Sequence, residues 1–379
     1  MGLRRVKLNL FYTENSGKWY RKIERLKDIL NKQQLNKFSP ATGPAVWTPD
    51  ELKNDTSWVF QFSASDIVEI EAAVSDVLNS GKQLYFFGRD DFPLPTLGPR
   101  LASCIYYVEY GRGVALWRGL DVSTYDEHSL KVLYWGIGVH LGVPITQNAK
   151  GQLIGHVRDT GHNYMSKNVR GYTTQARLAP HCDSSDIVTL LCVHPSKSGG
   201  ESLIASSTAV YNKLLEHFPE YLEPLFIGFN FDLRGEGATD NPNEVTNTKV
   251  PVYSNYEGWL SCRYNCKTIE DGQIKVGSPL TGLTLEAVRK VGELAMQDGI
   301  RHDMTFKQGD IQILNNHTVL HSRTSFEDWP EPERKRNLLR MWINQRAEIA
   351  RPLAPEFANR LNTGPRGGVA VKKLRMLNL

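Results

Sequence analysis

The chain has 379 residues, of which 40% are hydrophobic and 23% charged, and its formal net charge is +4. This composition is typical of a globular protein and excludes a collagen-like or disordered chain. Lys and Arg are spread along the sequence, which argues against a nucleic-acid partner, and no apolar run is long enough to cross a bilayer. The expected partner is therefore a small molecule, and neither a nucleic acid nor a membrane is an expected partner.

The five cysteines indicate a reducing compartment. Their number is odd and no two have the C-x-x-C spacing, which is typical of reduced thiols rather than of a disulfide framework. The apolar stretch behind the basic residues at the N-terminus is too short for a secretory signal. A cytoplasmic protein is predicted, and the sequence leaves open whether it forms a homo-oligomer.

Three regions are expected along the chain. Residues 1–45 are predicted to be a peripheral segment with a basic helix over Trp19 to Asn31, broken by the Pro- and Gly-containing stretch after it. Residues 46–350 are predicted to form a single domain. Residues 351–379 are predicted to be a basic C-terminal tail.

The first part of the domain, residues 60–142, is predicted to be a helical layer. Ser63 and Asp66 have the spacing of a capping box, and apolar residues at helical spacing follow until Gly81. A short buried strand is predicted over 113–119. A second helix is expected to begin at 123–126 and to end at Gly142.

From about residue 172 to 345 the sequence changes to short β-rich runs separated by turn residues. Such a pattern predicts a β-sandwich or barrel, jelly rolls included, and so a mainly β fold with a helical layer packed on it. The predicted strands are 187–193, 225–233, 250–254, 258–264, 301–306, 310–314 and 337–343, and one helix, Thr284 to Met296, interrupts them. The polar loop from Arg234 to Thr248 is expected to be a lid or disordered.

A pair of possible metal ligands, His181 and Asp183, stands just before the predicted strand 187–193. An imidazole and a carboxylate are two of the three groups in the facial triad that holds non-haem Fe(II). Either His317 or His321 can supply the third ligand. The residues that follow favour His321, and His317 is expected to be a hydrogen-bonded polar residue near the site.

Two arginines follow in the last predicted strand. Because alternate residues of a strand share a face, Arg336 and Arg340 are expected to point the same way. Two arginines on the inner face of an apolar strand are costly unless anions pair with them, and a guanidinium suits the carboxylate of a dicarboxylic cosubstrate. The alternative is a surface-facing pair on an edge strand.

His181-x-Asp183, Gly199-Gly200-x-Ser202, His321 after an Asn pair, and Arg336-x-x-x-Arg340, in this order, resemble the TauD/TfdA family of Fe(II)/2-oxoglutarate dioxygenases. The resemblance covers roughly residues 60 to 345. It implies a double-stranded β-helix, a jelly-roll and cupin-like core. It also implies Fe(II) as cofactor, with 2-oxoglutarate and O₂ as cosubstrates.

By this resemblance His181, Asp183 and His321 hold Fe(II), and Ser202 takes a position where the family often has a threonine that touches 2-oxoglutarate. Arg336 matches the arginine that pairs with the 2-oxoglutarate carboxylate, and Arg340 matches one that often contacts or supports the primary substrate. The segment between His321 and Arg336 is slightly longer than usual. Which of the two arginines pairs with the carboxylate therefore stays open.

The implied reaction consumes 2-oxoglutarate and O₂, releases succinate and CO₂, and oxidises an unactivated C–H bond by hydroxylation, desaturation or cyclisation. The hypothesis for the substrate is a small polar or anionic molecule, such as an amino acid or a natural-product intermediate. It is motivated by Arg177 and Arg340. Further candidate contacts are Tyr172, Gln175 and Arg158, and surface hydrogen bonding is an equal alternative for Gln175, Arg177 and Arg158.

Two other functions compete with the enzyme. One is a cupin-like metal-binding protein without redox turnover, which would hold Zn or Mn with the same three residues. The other is a jelly-roll interaction module with a vestigial pocket. The metal-binding protein does not account for the arginine strand or for Ser202. The interaction module predicts that His181→Ala leaves the biological function intact, whereas the enzyme loses all turnover.

Overall fold

The computed structural model describes residues 38–161, 171–239 and 241–372. The helix predicted over Trp19 to Asn31 lies outside the described residues. Within the described ranges no helix is long and apolar enough to cross a membrane.

The helices and strands of the described ranges follow in chain order. The α-helices are α1 (Pro49–Asn54), α2 (Ala64–Asn79), α3 (Leu97–Tyr110), α4 (Glu127–Leu141), α5 (Ser207–His217), α6 (Leu222–Ile227), α7 (Cys266–Lys275), α8 (Gly282–Ala295) and α9 (Pro355–Ala358). The strands are β1 (Val59–Gln61), β2 (Val114–Arg118), β3 (Val143–Ile145), β4 (Ile154–Val157), β5 (Leu178–His181), β6 (Ile187–His194), β7 (Ser198–Gly199), β8 (Ser202–Ser206), β9 (Tyr253–Tyr256), β10 (Trp259–Cys262), β11 (Arg301–Met304), β12 (Ile311–Asn315), β13 (Val319–Arg323), β14 (Phe326–Glu327) and β15 (Asn337–Asn344).

Two sheets form the centre of the domain. The larger has the order β1-β2-β12-β6-β15-β3, with β4 also paired to β15, and the smaller has the order β11-β8-β13-β5. All pairs in both sheets are antiparallel except β1 with β2. One apolar cluster contains residues from both sheets, for example Val188 and Leu338 from the larger and Ile204 from the smaller. The sheets therefore face each other, and the predicted double-stranded β-helix is confirmed.

Alternation along the strands separates the interior of the sandwich from the helical layers. On β15, Leu338 and Trp342 join the cluster between the sheets, whereas Leu339 and Met341 pack into the cluster that holds α2, α3 and α4. The outer face of the smaller sheet packs against α5, α6 and α8 in a third cluster. The order of layers is thus helices, large sheet, small sheet, helices.

The helical layer forms as the sequence predicts. Ser63 caps α2, with its hydroxyl accepting from the N–H of Asp66 and the Asp66 carboxylate accepting from the N–H of Ser63. Helix α4 contacts the sheet so closely that a Cβ at Gly138 would lie 2.5 Å from Sδ of Met341. This contact positions β15, which carries Arg340 and begins directly after Arg336.

Some predicted elements differ from the structure. The run 225–233 is not a strand, because Leu222–Ile227 is helical, Gly228 ends the helix at φ +82°, and only isolated bridges follow. A short apolar run alone does not separate a buried helix from a strand. Helices α3, α5, α6 and α7 are also absent from the sequence-based expectations; α3 begins after the N-cap residue Thr96, whose side chain makes no capping bond.

The described part of the predicted C-terminal tail, residues 351–372, is not a solvated extension. Phe357 is fully buried, and Arg351 forms a buried ion pair with Glu109 at 2.6 Å. Lys372 donates from Nζ to the carbonyl of Gly235 in the 234–248 loop at 2.8 Å. Prediction of a basic tail failed here because these partners are distant in sequence.

Candidate active site

The three predicted metal ligands meet at the mouth of the sandwich. His181 ends β5, and its register partner on β13 is His321. Asp183 lies in the turn between β5 and β6. The ligand atoms of the three side chains lie within 4.8 Å of one another, and the two imidazole centroids are 4.3 Å apart. His181 and His321, 140 positions apart in the sequence (321 − 181), thus become neighbours because the strands β5 and β13 pair.

The protonation states suit metal binding. Burial lowers the pKa of both imidazoles, that of His321 to about 3, so both are neutral and can offer a lone pair. The Nδ1 of His181 lies 2.8 Å from the carbonyl oxygen of Ala179, to which it donates, leaving Nε2 unprotonated. Burial alone would raise the pKa of Asp183, but the charge of the Arg340 guanidinium and the hydrogen bond from Trp342 hold it well below its usual value.

Other buried side chains hold the turn that carries Asp183. The Nε1–H of Trp342 donates to Oδ2 of Asp183 at 2.9 Å, and the N–H of Asp183 donates to Oδ1 of Asn316 at 3.0 Å. Arg263 donates to the carbonyl of Cys182 at 3.2 Å and to the hydroxyl of Ser184 at 2.6 Å. No role was predicted from the sequence for Trp342, Asn316 or Arg263. Trp342 could have been found from alternation with Arg340, and Asn316 from its place in the Asn pair.

His317 does not belong to the metal centre. Its Nε2 lies 3.0 Å from Oδ1 of Asp186, and both side chains are buried. Asp186 also forms ion pairs with Arg360, at 3.5 Å, and with Arg366. His317 is therefore part of a buried ionic network one layer behind the ligands.

A cavity of about 750 Å³ opens from the three ligands. Its lining includes Ser202, Arg336, Arg340 and Tyr172, all of which were sequence-predicted site residues. The inner faces of the two sheets supply an apolar wall to the same cavity.

The remaining predicted substrate contacts are not brought to the cavity. Arg158, Gln175 and Arg177 are exposed and do not line it. The Nε2 of Gln175 donates to Oδ2 of Asp159 at 2.8 Å. Their proximity in sequence to His181 therefore does not become proximity in space to the cavity.

The two arginines of the β15 region differ in their partners. Arg340 donates from Nε to Oε1 of Gln147 at 2.8 Å, and its Nη1 lies 3.5 Å from Oδ2 of Asp183. Arg336 is 4% exposed, and its Nη1 has no hydrogen-bond partner within the described ranges. Burial lowers the pKa of Arg336 to about 10, so it remains charged at neutral pH. A buried cation with a free donor in a cavity fits an anionic ligand.

The polar loop predicted as a lid lies over the cavity. Arg234, Pro242 and Asn243 line it. The loop is ordered by its own side chains: the Glu244 carboxylate accepts from the backbone N–H groups of Ala238 and Thr239 at 3.1 and 2.8 Å. The sequence analysis did not single out Arg234.

Comparison with known proteins shows which family this sequence matches. The sequence model of the family described as "Taurine catabolism dioxygenase TauD, TfdA family" matches residues 78–342. FR-33289 synthase of Streptomyces rubellomurinus is 31% identical over 309 residues, covering 80% of this chain and 90% of that protein. Taurine hydroxylase-like protein SAT17 of Stachybotrys chartarum is 27% identical over 321 residues, covering 82% of this chain and 81% of that protein.

Solved structures share the fold. Asparagine oxygenase in complex with Fe(II), 2S,3S-3-hydroxyasparagine and succinate has a TM-score of 0.60 at 17% identity, covering 76% of this chain and 93% of that chain. The non-haem iron oxygenase OrfP in complex with Fe and alpha-ketoglutaric acid has a TM-score of 0.55 at 14% identity, covering 80% of this chain and 98% of that chain.

Proposed function

The chain belongs to the TauD/TfdA family of Fe(II)/2-oxoglutarate dioxygenases, and from that premise we propose that it oxidises an unactivated C–H bond of a small anionic substrate. The observation that carries the proposal is the joining, in one cavity, of a two-histidine, one-carboxylate cluster with the buried, incompletely paired Arg336.

The donor set fits Fe(II). Two neutral imidazoles and one ionised carboxylate on one side of a site are the ligands of non-haem iron oxygenases, and they leave other coordination positions open. We propose that His181, Asp183 and His321 are these ligands. Trp342 and Arg340 contact Asp183 and fix which way its carboxylate points.

We propose that Arg336, rather than Arg340, pairs with the distal carboxylate of 2-oxoglutarate. Arg336 has an unpaired Nη1, whereas Arg340 is already hydrogen-bonded to Gln147 and paired with Asp183. The Ser202 hydroxyl donates to Oε1 of Gln312 at 3.1 Å, and it can rotate to donate its single proton to that carboxylate instead.

When bound, Fe(II) and 2-oxoglutarate supply the oxidising chemistry, in which O₂ is consumed, 2-oxoglutarate becomes succinate and CO₂, and a substrate C–H bond is hydroxylated. The protein's part is to bind and orient the reactants and to keep water out. The inner-face side chains Val188, Leu190 and Leu338 form the apolar wall next to Arg336. The ring of Tyr172 lies under the Arg340 guanidinium, with its centroid 4.5 Å from the guanidinium carbon.

An amino acid is the substrate class we favour. The asparagine oxygenase structure contains a hydroxylated asparagine, and other OrfP structures contain arginine or hydroxyarginine. The cavity of this chain carries both signs of charge, as an amino acid requires, including Arg340, Arg234 and Glu236. A cupin-like protein that only binds metal, the alternative function, gives Arg336 no partner.

The test is a screen of the standard amino acids and small carboxylates for substrate-dependent succinate release with Fe(II), ascorbate and 2-oxoglutarate. The proposal predicts stimulation by at least one anionic or zwitterionic compound and a product 16 mass units heavier, the mass of the one oxygen atom that hydroxylation adds. Stimulation by neutral apolar compounds alone would contradict the substrate class. A product two mass units lighter would indicate desaturation or cyclisation instead of hydroxylation, because two hydrogen atoms are then removed.

We also propose that the protein works in the cytoplasm. All five cysteines are unpaired, and four of them are buried. Free buried thiols are typical of proteins from reducing compartments.

A further inference from the structure

Arg234 is a cation of the cavity that the proposed function assigns neither to the metal nor to 2-oxoglutarate. It lies on the 234–248 loop and lines the same cavity as the three metal ligands. It is half-buried, and its guanidinium forms no hydrogen bond or ion pair with the described residues. Burial lowers its pKa, and the carboxylates of Asp232 and Asp183 oppose this effect. It therefore stays protonated on the wall of the cavity that contains the metal ligands.

The backbone at Arg234 is held in an unusual conformation. Its φ of +55° is in the left-handed region, which residues with a Cβ rarely adopt. The N–H of Arg234 donates to Oδ1 of Asp232 at 2.7 Å. The Nζ of Lys275 donates to the same oxygen at 2.6 Å and to the carbonyl of Pro242 at 2.8 Å. Lys275 thus joins both ends of the cavity-lining part of the loop, and non-glycine residues held in this way are concentrated at ligand-binding sites.

Most other cations of the cavity already have partners. Lys275 pairs with Asp232, Lys267 pairs with Asp271 at 3.1 Å, and Arg340 pairs with Asp183. These pairs leave Arg234 as the lid-side cation that is not matched within the described residues.

Three further arginines line the cavity. Arg263 donates to the carbonyl of Cys182 and to the hydroxyl of Ser184, whereas Arg336 and Arg323 lie together at the cosubstrate end. Their guanidinium carbons are 5.0 and 4.7 Å from the ring of Phe326. Arg323 donates to the carbonyls of Thr174 and Ala176. The dianionic 2-oxoglutarate is expected at this end of the cavity. A different anion is therefore needed to pair with the charge of Arg234.

We propose that Arg234 binds the oxyanion of the primary substrate, a carboxylate, sulfonate or phosphate group, from the lid side of the metal centre. The Asp232–Lys275 pair positions Arg234 by holding its backbone. This inference rests on the proposed function, because it assumes that the substrate occupies the lid side while 2-oxoglutarate occupies the Arg336 side. It makes Arg234 a specificity-determining residue: it selects substrates by their charge.

The test uses the protein loaded with Fe(II) and 2-oxoglutarate without O₂, titrated separately with acetate, methanesulfonate and inorganic phosphate in a calorimeter. The test variant is Arg234→Asn, because Asn tolerates the left-handed backbone while the charge is lost. The matched control is Arg177→Asn, which removes an exposed arginine outside the cavity. We expect at least one anion to bind the wild type, and to bind Arg234→Asn at least about tenfold more weakly, as for loss of a charged hydrogen bond. Arg177→Asn should bind it as the wild type does.

Equal anion binding by wild type and Arg234→Asn, or no anion binding to the wild type, would overturn the role of Arg234. A drop of the same size in Arg177→Asn would reduce the effect to general surface charge and would also overturn it. Failure of the proposed function looks different. In that case 2-oxoglutarate does not bind the Fe(II) protein at all, which the same calorimeter measures before any anion is added.

Discussion

The indole N–H of Trp342 donates a 2.9 Å hydrogen bond to the Asp183 carboxylate oxygen that also faces Arg340. Trp342, Arg340 and Arg336 lie at even spacing along the β15 region and line one cavity. Strand β15 therefore orients the carboxylate ligand, and the residue directly before it is the cation proposed for 2-oxoglutarate. Changes along this strand should separate the two tasks.

Trp342→Phe tests the orientation of the metal ligand. It keeps a ring of similar shape but removes the donor to Asp183. Loss of such a partner of a metal ligand commonly lowers affinity by about 10- to 100-fold, and we expect a loss in this range in an Fe(II) titration without O₂. Trp117→Phe is the control, because Trp117 is equally buried but donates to Sγ of Cys104. Equal Fe(II) affinities for wild type and Trp342→Phe would contradict the role of this hydrogen bond.

Arg336→Gln tests the proposed binding site for the distal carboxylate of 2-oxoglutarate. Without the guanidinium the distal carboxylate of 2-oxoglutarate loses its charged partner, so we expect the KM for 2-oxoglutarate to rise by about tenfold or more. The affinity for Fe(II) should be unchanged, because Arg336 forms no hydrogen bond or ion pair with His181, Asp183 or His321. Arg334→Gln, on an exposed neighbour, is the control. If instead Arg340→Gln alone raised this KM, the assignment of the two arginines would be reversed.

A pair of histidine variants separates ligand from scaffold. His321→Gln removes a proposed ligand and should abolish both Fe(II) binding and turnover. His317→Gln should keep Fe(II) binding, because His317 contacts Asp186 rather than the metal centre. We expect it to lower the free energy of unfolding by about 1–3 kcal/mol through loss of a buried hydrogen bond. Loss of Fe(II) binding in His317→Gln with retention in His321→Gln would contradict the ligand assignment.

Asp186 should give stability a defined dependence on pH. Burial alone would raise its pKa, but the hydrogen bond from His317 and the charges of Arg360 and Arg366 hold it far below the unfolded value. Because the folded pKa is depressed, its contribution is fully present above about pH 4, near the unfolded pKa, and is lost as the pH falls further.

The measurement is the free energy of unfolding of wild type and Asp186→Asn in denaturant, from pH 7 downwards. At pH 7 we expect the variant to be less stable by about 3–5 kcal/mol, since it leaves buried cations without their partner. The difference should shrink below about pH 4. A difference that stays constant with pH would show that folding does not lower the pKa of Asp186.

The sequence predicts the parts of the site that depend on local pattern. Alternation along a strand places Arg336 and Arg340 on one face, and both line the cavity. The prediction of His321 as a ligand depends on the pairing of β5 with β13, which brings His321 beside His181. Contacts between distant segments leave no such pattern. Asp186 and Arg360 are 174 residues apart, and Lys275 is 43 residues from Asp232. Gln175 and Arg177 were proposed as substrate contacts because they are near His181 in the chain, but they do not line the cavity. Nearness in the chain does not fix which way a side chain outside a regular strand points.

The most direct test of the central claim is the visible absorption spectrum of the wild-type protein when 2-oxoglutarate is added to its Fe(II) form without O₂. We predict a metal-to-ligand absorption band that appears only when both are present and is absent from His321→Gln. The band should saturate at a higher 2-oxoglutarate concentration in Arg336→Gln. A wild-type protein that binds Fe(II) but develops no band with 2-oxoglutarate would contradict the account and favour a metal-binding protein without redox turnover.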